Sequence, residues 1–553
     1  MSESEEALAV RLLTVDAESG AATPARLEVR GEEGTFYVAE DALRVGPDQL
    51  INHGDEPPST PELQEHLSRL SRRINNLYMR SEQFYCAGGC QVRLPRGRYR
   101  VRAFKGLEYR VAEQELAVDG SQPASLELRL SRWVNMPQQG WYSADDHLHI
   151  PRPLAALNSH IVTWMQAEDL HVANLLQWGH SRHFHNAVQY AHGEAGHYQS
   201  EGHILASGQE NPRTPFLGHT IMLGTREPIY QSKHYLVYRH SFEEGRRQGT
   251  VNGYAHQGTI FHAQNGLALD LPTGLIDFLE VLQFNTVDYS VWYTALNSGF
   301  RLVPLAGTDY PVGPIPGWER FYAEVEGELT FESWLEAVRQ GRVFVTNGPM
   351  LSLRVEDRGM GQELLLPEPG PVRIEGSVRF NGQRDDVERL ELVENGLVVE
   401  TFLPQAEEGE IGFSLTRPVE QAGWLALRAS GLKSDAWVPP MLMRQAPHSG
   451  PSGEQEEGWA VAPALAHSAP VYVNIRGLPS LTEKESAREM MWVWLSRLRD
   501  LEHTLRHRLH ELADDESDPT TDAVRSETLR QNREALLEAV REVEALYLER
   551  MRR

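Results

Sequence analysis

The stretch from Ser143 to Ile150 reads Ser, Ala, Asp145, Asp146, His147, Leu148, His149, Ile150. On a strand, residues two apart point to the same side, so Asp145, His147 and His149 share a face if Trp141 to Ile150 is extended. Imidazoles placed this way can hold one metal ion, and Asp145 and Asp146 add hard oxygen donors beside the borderline nitrogens. Zinc, manganese or iron accepts such a mixed set. A His-x-His pair also arises by chance as surface polarity, so its weight depends on what lies downstream.

Fifteen of the 22 histidines fall between His147 and His262. That segment is about a fifth of the chain, and an even spread would place roughly four or five there. Short apolar runs alternate with helical stretches from Gly140 to about Gly348, the pattern of a β/α-repeated fold. Candidate strands include Val172 to Trp178, Ile204 to Ser207, Ile221 to Leu223, Val251 to Ala255, Phe278 to Leu282, Leu302 to Ala306 and Val343 to Thr346. His180, Glu210, His256, Glu280, Asp309 and Asn347 stand at or after strand ends, and His219 just precedes one. In β/α folds the carboxyl ends of strands carry the active site.

These residues need a scaffold. The 553-residue chain is too long for one ordinary domain, and its 41% hydrophobic content supplies several cores. A formal charge of -25 argues against a nucleic-acid partner, because phosphate binding requires clustered Lys and Arg. No apolar run is long enough to span a bilayer, and Met1 to Ala9 is acidic, unlike a signal peptide. The chain as written reads as cytoplasmic, or as secreted or periplasmic if a leader was removed. Cys86 and Cys90 read as structural or free thiols about a hairpin turn rather than as a disulfide framework.

Alternating apolar runs before Gln139 predict a β-sandwich over residues 1–139, with an inserted helix from Thr60 to Tyr78. A second β-rich stretch over 351–478 predicts another sandwich, with Gln445 to Gly458 as a loop. From 479 to 553, apolar stripes at helical spacing predict a helical hairpin turning at Asp514 to Pro519. Its stripe packs on the body of the protein or on a second subunit, which leaves an oligomer open.

The ordered set of Ser143 to Ile150, Gly208-Gln209-Glu210, Gly218-His219, Ala255-His256-Gln257-Gly258, Gly307-Thr308-Asp309 and Val343 to Pro349 resembles the PHP-domain metallohydrolases. Within them it is most similar to the CehA/McbA, or carbaryl hydrolase-like, branch. The resemblance covers about residues 140–350, and the β-rich head is similar to carboxypeptidase-regulatory-like or transthyretin-like modules. It implies a distorted β/α barrel of PHP type, so the expected chain is multidomain, with that barrel between the two all-β sandwiches and the C-terminal helical hairpin after them. It also implies that His147 and His149 pair on one metal, that Glu210 bridges, that His219 and His256 bind a second metal, and that Asp309 closes the first site. His180 takes the place of the histidine after the second strand. Gly179 and Pro311 stand where the family often has Asp and His, so one or two divalent transition-metal ions (Zn, Mn or Fe) are implied rather than three.

Such a metal lowers the pKa of bound water and yields a hydroxide nucleophile. Asp146, Glu280 and His180, or His183 and His185, are candidates for handling protons, although Glu280 could equally orient a ligand histidine. The other histidines of the 183–203 insert read as rim or surface. Arg152, Arg182, Arg213 and Arg320 are the basic residues near the site segments, while Trp178, Phe184, Phe216, Phe261, Tyr310 and Trp318 could line an apolar rim. The expected function is hydrolysis of an ester, amide or carbamate bond in a small-molecule substrate. A PHP-type phosphoesterase is the first alternative, and a non-catalytic binding protein on a decayed metallohydrolase scaffold is the second. No serine nucleophile elbow, Walker loop or dinucleotide fingerprint appears in context.

Overall fold

The computed structural model describes residues 7–43, 83–120, 124–179, 184–214, 216–230, 235–256, 265–313, 315–405, 409–433, 462–507 and 519–552. The predicted helix from Thr60 to Tyr78, the 445–458 loop, His180, Arg182, His183, Gln257, Gly258, Phe261 and the turn at Asp514 to Asp518 lie outside the described residues.

In the N-terminal region, Leu8–Asp16 pairs with Gly89–Leu94 and Ala124–Leu130, while Ala25–Gly31 lies between Gln83–Cys86 and Gly97–Phe104. Period-2 alternation turns Val10, Leu12, Leu27, Val29, Val92 and Val101 into one apolar cluster between the two sheets. Cys86 and Cys90 are buried free thiols in that cluster.

The expected β/α barrel is not what the chain builds. Strand makes up 44% of the structure and helix 25%, and no PHP-like parallel barrel is evident among the described residues. Residues 140–350 instead contribute to a large mixed sheet. Val303–Ala306, Phe278–Gln283 and Val251–Tyr254 run parallel, as do His203–Thr214, Val172–Gly179 and Trp141–Leu148. Antiparallel Gly218–Leu223 joins the two parallel groups. Beyond Trp141–Leu148 the order continues antiparallel through Arg320–Glu324, Val343–Thr346, Ala462–Ser468, Gly423–Lys433 and Asp385–Glu394 to Leu397–Phe402. An alternation of apolar runs with helical stretches does not fix the direction in which each strand pairs, so it does not distinguish a β/α barrel from this mixed sheet. The hairpin from His203 to Leu223 inserts antiparallel ladders where a barrel needs parallel crossovers.

The sheet continues past residue 350. Strands from the 385–475 region extend the same sheet, and the separate three-stranded sheet there is Met350–Val355, Gly370–Arg379 and Glu410–Val419. One apolar cluster runs from the site region through this sheet into the C-terminal helices Glu485–His507 and Pro519–Arg552. Met491, Leu495, Leu498, Leu505, Leu536, Val540, Val543 and Tyr547 are buried in it. Trp494 Nε1 donates to Ser298 Oγ at 3.0 Å and Tyr547 donates to the Ala268 carbonyl at 2.8 Å. The body of the protein therefore covers the described part of the stripe. No helix among the described residues is long and apolar enough to cross a membrane.

Buried charges join the N-terminal sandwich to the large sheet. Arg26 and Tyr85 both donate to Glu168 at 2.7 Å, and Arg132 pairs with Glu108 at 2.6 Å and Asp169 at 2.8 Å. Tyr322 donates to Glu108 at 3.1 Å. This network seats the Trp141–Leu148 strand and its neighbours against the sandwich.

Candidate metal centre

Regular alternation ends where the chemistry begins. The ladder between Trp141–Leu148 and Val172–Gly179 shifts register between Asp145 and Leu148, and a carboxylate holds that irregular end in place. Asp145 accepts from the His147 amide at 2.9 Å, Thr308 Oγ1 at 2.6 Å, the Thr308 amide at 3.2 Å and the Gly317 amide at 2.8 Å. Burial pushes its pKa up to about 6 against those hydrogen bonds. Asp145 is therefore an organiser of the His-x-His segment, with its acceptor capacity already used.

The two histidines converge as the sequence spacing implies. His147 Nε2 and His149 Nε2 lie 3.2 Å apart. Asp309 Oδ1 is 3.3 Å from the first nitrogen and 3.1 Å from the second, and Glu210 Oε2 is 3.8 and 3.2 Å away. The other oxygen, Glu210 Oε1, meets His219 Nδ1 at 2.7 Å and His256 Nε2 at 3.4 Å, and those two nitrogens are 3.0 Å apart. Glu210 thus faces two groups of imidazoles, one with each oxygen. Each predicted ligand that the structure describes, His147, His149, Glu210, His219, His256 and Asp309, reaches this cluster.

The far side of each ring explains how the near side is aimed. His147 Nδ1 meets Glu280 Oε1 at 3.1 Å, His149 Nδ1 meets the Leu176 carbonyl at 2.9 Å, and His256 Nδ1 meets Gln283 Oε1 at 2.7 Å. Gln283 is itself oriented, since its amide nitrogen donates to Glu280 Oε1 at 3.0 Å. Its oxygen is left to accept from His256. The acceptors behind the rings therefore place protons on Nδ1 and turn the Nε2 lone pairs inward, as metal-binding histidines require.

Facing lone pairs at these distances repel one another and the adjacent carboxylates unless positive charge lies among them. Without a cation, protons must do this work. The neighbouring carboxylates hold His147 well above the ordinary imidazole range, and His149 and His256 above it, despite burial that opposes the charge. Burial also opposes ionisation of Asp309 and Glu210, yet the facing His147, His149 and His256 bring Asp309 down to about 2, and Arg213 and His219 hold Glu210 well below the carboxylate range. Two sets of donor atoms in the cluster are close enough to hold an ion: His147 with Glu210 and His256, and His147 with His149 and Asp309. The buried nitrogen and oxygen donors fit a divalent metal.

Two of the candidate ligands, His256 and Asp309, sit on left-handed backbone. His256, Asp309, Phe284 and Asn285 all have left-handed φ, between 50° and 61°. Such positions cost energy and persist where the surroundings hold them. Gly307 permits the closest approach: a Cβ there would lie 2.3 Å from Asp146 Oδ1 and 2.7 Å from the His147 Cβ.

Of the residues proposed for proton transfer, Glu280 lies behind the ligands. Besides His147 and Gln283 it accepts from the His256 amide at 2.7 Å, and it is fully buried. Asp146 is fully buried against it. Burial, reinforced by Glu280, holds that carboxyl well above its ordinary range. His192 bonds Thr225 at 2.8 Å, His197 packs on Phe331, and His203 stacks on His171; none of the three joins the cluster.

Arg152 and Arg320 are buried and committed elsewhere. Arg152 bonds Gln189, Asn158, Gly196 and Ser207, while Arg320 bonds carbonyls of Gly317, Glu168 and Asp169. Arg213 alone of the described members of that basic set enters the centre, donating to Glu210 Oε2 at 2.8 Å. Trp178 packs against a candidate ligand, its ring centre 6.0 Å from that of His149, whereas Tyr310 and Trp318 are packed into the core. Sequence reading passed over Gln283 and the Leu176 carbonyl. The first stands three residues after Glu280 on one strand, a visible signal; a backbone acceptor leaves none.

No protein-family model matches the chain, and no curated protein matches it. The crystal structure of PsfC from Pseudomonas syringae PB-5123 aligns with 35% of this chain and 88% of that chain at 16% identity. Its TM-score of 0.24 is too low to support an argument about fold or function.

Proposed function

We infer that this chain is a hydrolase dependent on one or two divalent transition-metal ions, Zn, Mn or Fe. The observation that carries this reading is the convergence of imidazole nitrogens and carboxylate oxygens, with acceptors behind three of the rings fixing their tautomers. His147, His149, Asp309 and Glu210 Oε2 would hold one ion, and His219, His256 and Glu210 Oε1 a second. The bound metal would supply Lewis acidity to water and to the substrate oxygen.

The chain's own residues do the positioning. Glu280 and Gln283 hold His147 and His256 by their outer nitrogens, and Asp145 fixes the segment carrying His147 and His149. Asp146 and Glu280 support these ligands from within the core rather than meeting a substrate. His180 is the proposed proton-handling residue. The motif order that resembles the PHP-domain metallohydrolases of the CehA/McbA branch supports this reading through the residues alone.

The proposed reaction is hydrolysis of an ester, amide or carbamate. A phosphoesterase is the second reading, and Arg213 at Glu210 favours it, because phosphoryl groups are commonly met by fixed cations. Metal-loaded protein should be offered aryl acetates, aryl carbamates and aryl phosphate mono- and diesters in parallel. Turnover of the first two classes, lost in Asp309→Asn, is expected; turnover confined to the phosphates selects the second reading, and no turnover of any class contradicts both.

A further inference from the structure

We propose that Arg213 is the specificity-determining residue of this centre and anchors an oxyanion of the substrate, a carboxylate or a phosphoryl group. The inference rests on the metallohydrolase reading above. It begins with the strand that carries both Glu210 and Arg213. Residues three apart on a regular strand point to opposite faces, but the ladder between His203–Thr214 and Gly218–Leu223 shifts register between these two. The bulge re-aims the chain, so that Arg213 sits opposite His219 in the ladder and its guanidinium reaches Glu210.

The guanidinium is held in a fixed plane. Its Cζ lies 4.2 Å from the centre of the Trp178 ring, and Nη1 donates to Glu210 Oε2 at 2.8 Å. Stacking and an ion pair together remove most of the freedom of a long side chain. Nε and Nη2 have no acceptor among the described residues, and the side chain remains 23% exposed. A guanidinium anchored at Glu210 by one nitrogen thereby keeps two donors in one plane, a geometry matched by an acceptor with two oxygens.

Charge gives this edge a purpose. A guanidinium beside a divalent ion is repelled by it, and Glu210 must then serve both cations. An oxyanion placed between them satisfies the two positive groups together, which is the arrangement that stabilises charge at a reacting centre. A carboxylate-bearing ester or carbamate and a phosphate ester both offer the required oxygens.

The test uses the full chain loaded with Mn²⁺, with inorganic phosphate and benzoate as probes titrated calorimetrically. Metal content is measured on the same samples. Both Arg213→Gln and Arg213→Lys should retain the metal. At least one probe should bind the parent protein, with Kd at least tenfold weaker in Arg213→Gln and intermediate in Arg213→Lys, which keeps the charge without the planar fork. A response confined to phosphate identifies a phosphoryl source, and one confined to benzoate identifies a carboxylate. Full metal occupancy with neither probe bound, or with affinities unchanged in both variants, overturns the proposal while leaving the metallohydrolase reading intact. Absence of metal from the parent protein overturns both.

Discussion

Glu280 Oε1 sits 3.1 Å from His147 Nδ1, on the side of the ring away from the other ligands. The same oxygen receives Gln283, which orients His256. One buried carboxylate therefore sets two imidazoles, and through them the directions in which two pairs of electrons point into the centre.

Glu280→Gln should weaken metal binding by about 10- to 100-fold, the range observed when an acceptor behind a ligand histidine is removed. Competition with a chromophoric chelator measures it. The fold should persist, since the substitution keeps volume and shape. An unchanged metal affinity would remove Glu280 from this role.

Gly307→Ala should disrupt the centre without adding or removing a ligand, because the new methyl would overlap Asp146 Oδ1 and the His147 Cβ. Strain of this kind typically costs about 1–3 kcal/mol. Metal stoichiometry and thermal midpoint, read together, check the prediction: both should fall. A variant with the parent's metal content and midpoint would show that the segment gives way freely.

The candidate cluster was legible because donor chemistry needs few residue types, and His147, His149, Glu210, His219, His256 and Asp309 stand out by type in a histidine-rich segment. The architecture was not. An apolar run records that a strand is buried but not the direction of its partner, so the antiparallel insertion at Gly218–Leu223 and the continuation of the sheet past residue 350 left no local trace. Arg213 was visible as a basic residue, yet its arrival at Glu210 depends on a bulge that periodicity treats as noise.

Arg132→Ala should destabilise the protein by about 3–5 kcal/mol, because it leaves two buried carboxylates without their cation. Arg132 bridges Glu108 and Asp169 at the junction of the sandwich and the large sheet. Urea unfolding followed by tryptophan fluorescence provides the measurement. A loss below about 1 kcal/mol, the scale of an exposed pair, would show that the junction is held by packing alone.

The stability should also fall in mild acid through His467. Its Nδ1 donates to the Ser468 carbonyl at 2.8 Å, its Nε2 accepts from the Tyr293 hydroxyl at 2.6 Å, and the ring is driven down to about 3 chiefly by burial. The unfolded chain binds the proton from about pH 6.5 downward while the folded chain resists until about 3. Stability contributed by the neutral ring is therefore complete above about pH 6.5 and falls by about 1.4 kcal/mol per pH unit as the pH drops toward 3. His467→Gln should reduce the slope of unfolding free energy against pH by one proton over that window. An unaltered slope would contradict the assignment.

The most direct measurement is the metal content of protein purified without chelators and again after reconstitution with Zn²⁺, Mn²⁺ or Fe²⁺, beside a His147→Ala, Asp309→Ala double variant. One to two transition-metal ions per chain are expected in the parent, with occupancy lost or sharply reduced in the variant while its circular dichroism stays the same. Parent protein that carries no transition metal above background after reconstitution would contradict a metal-dependent function for this centre.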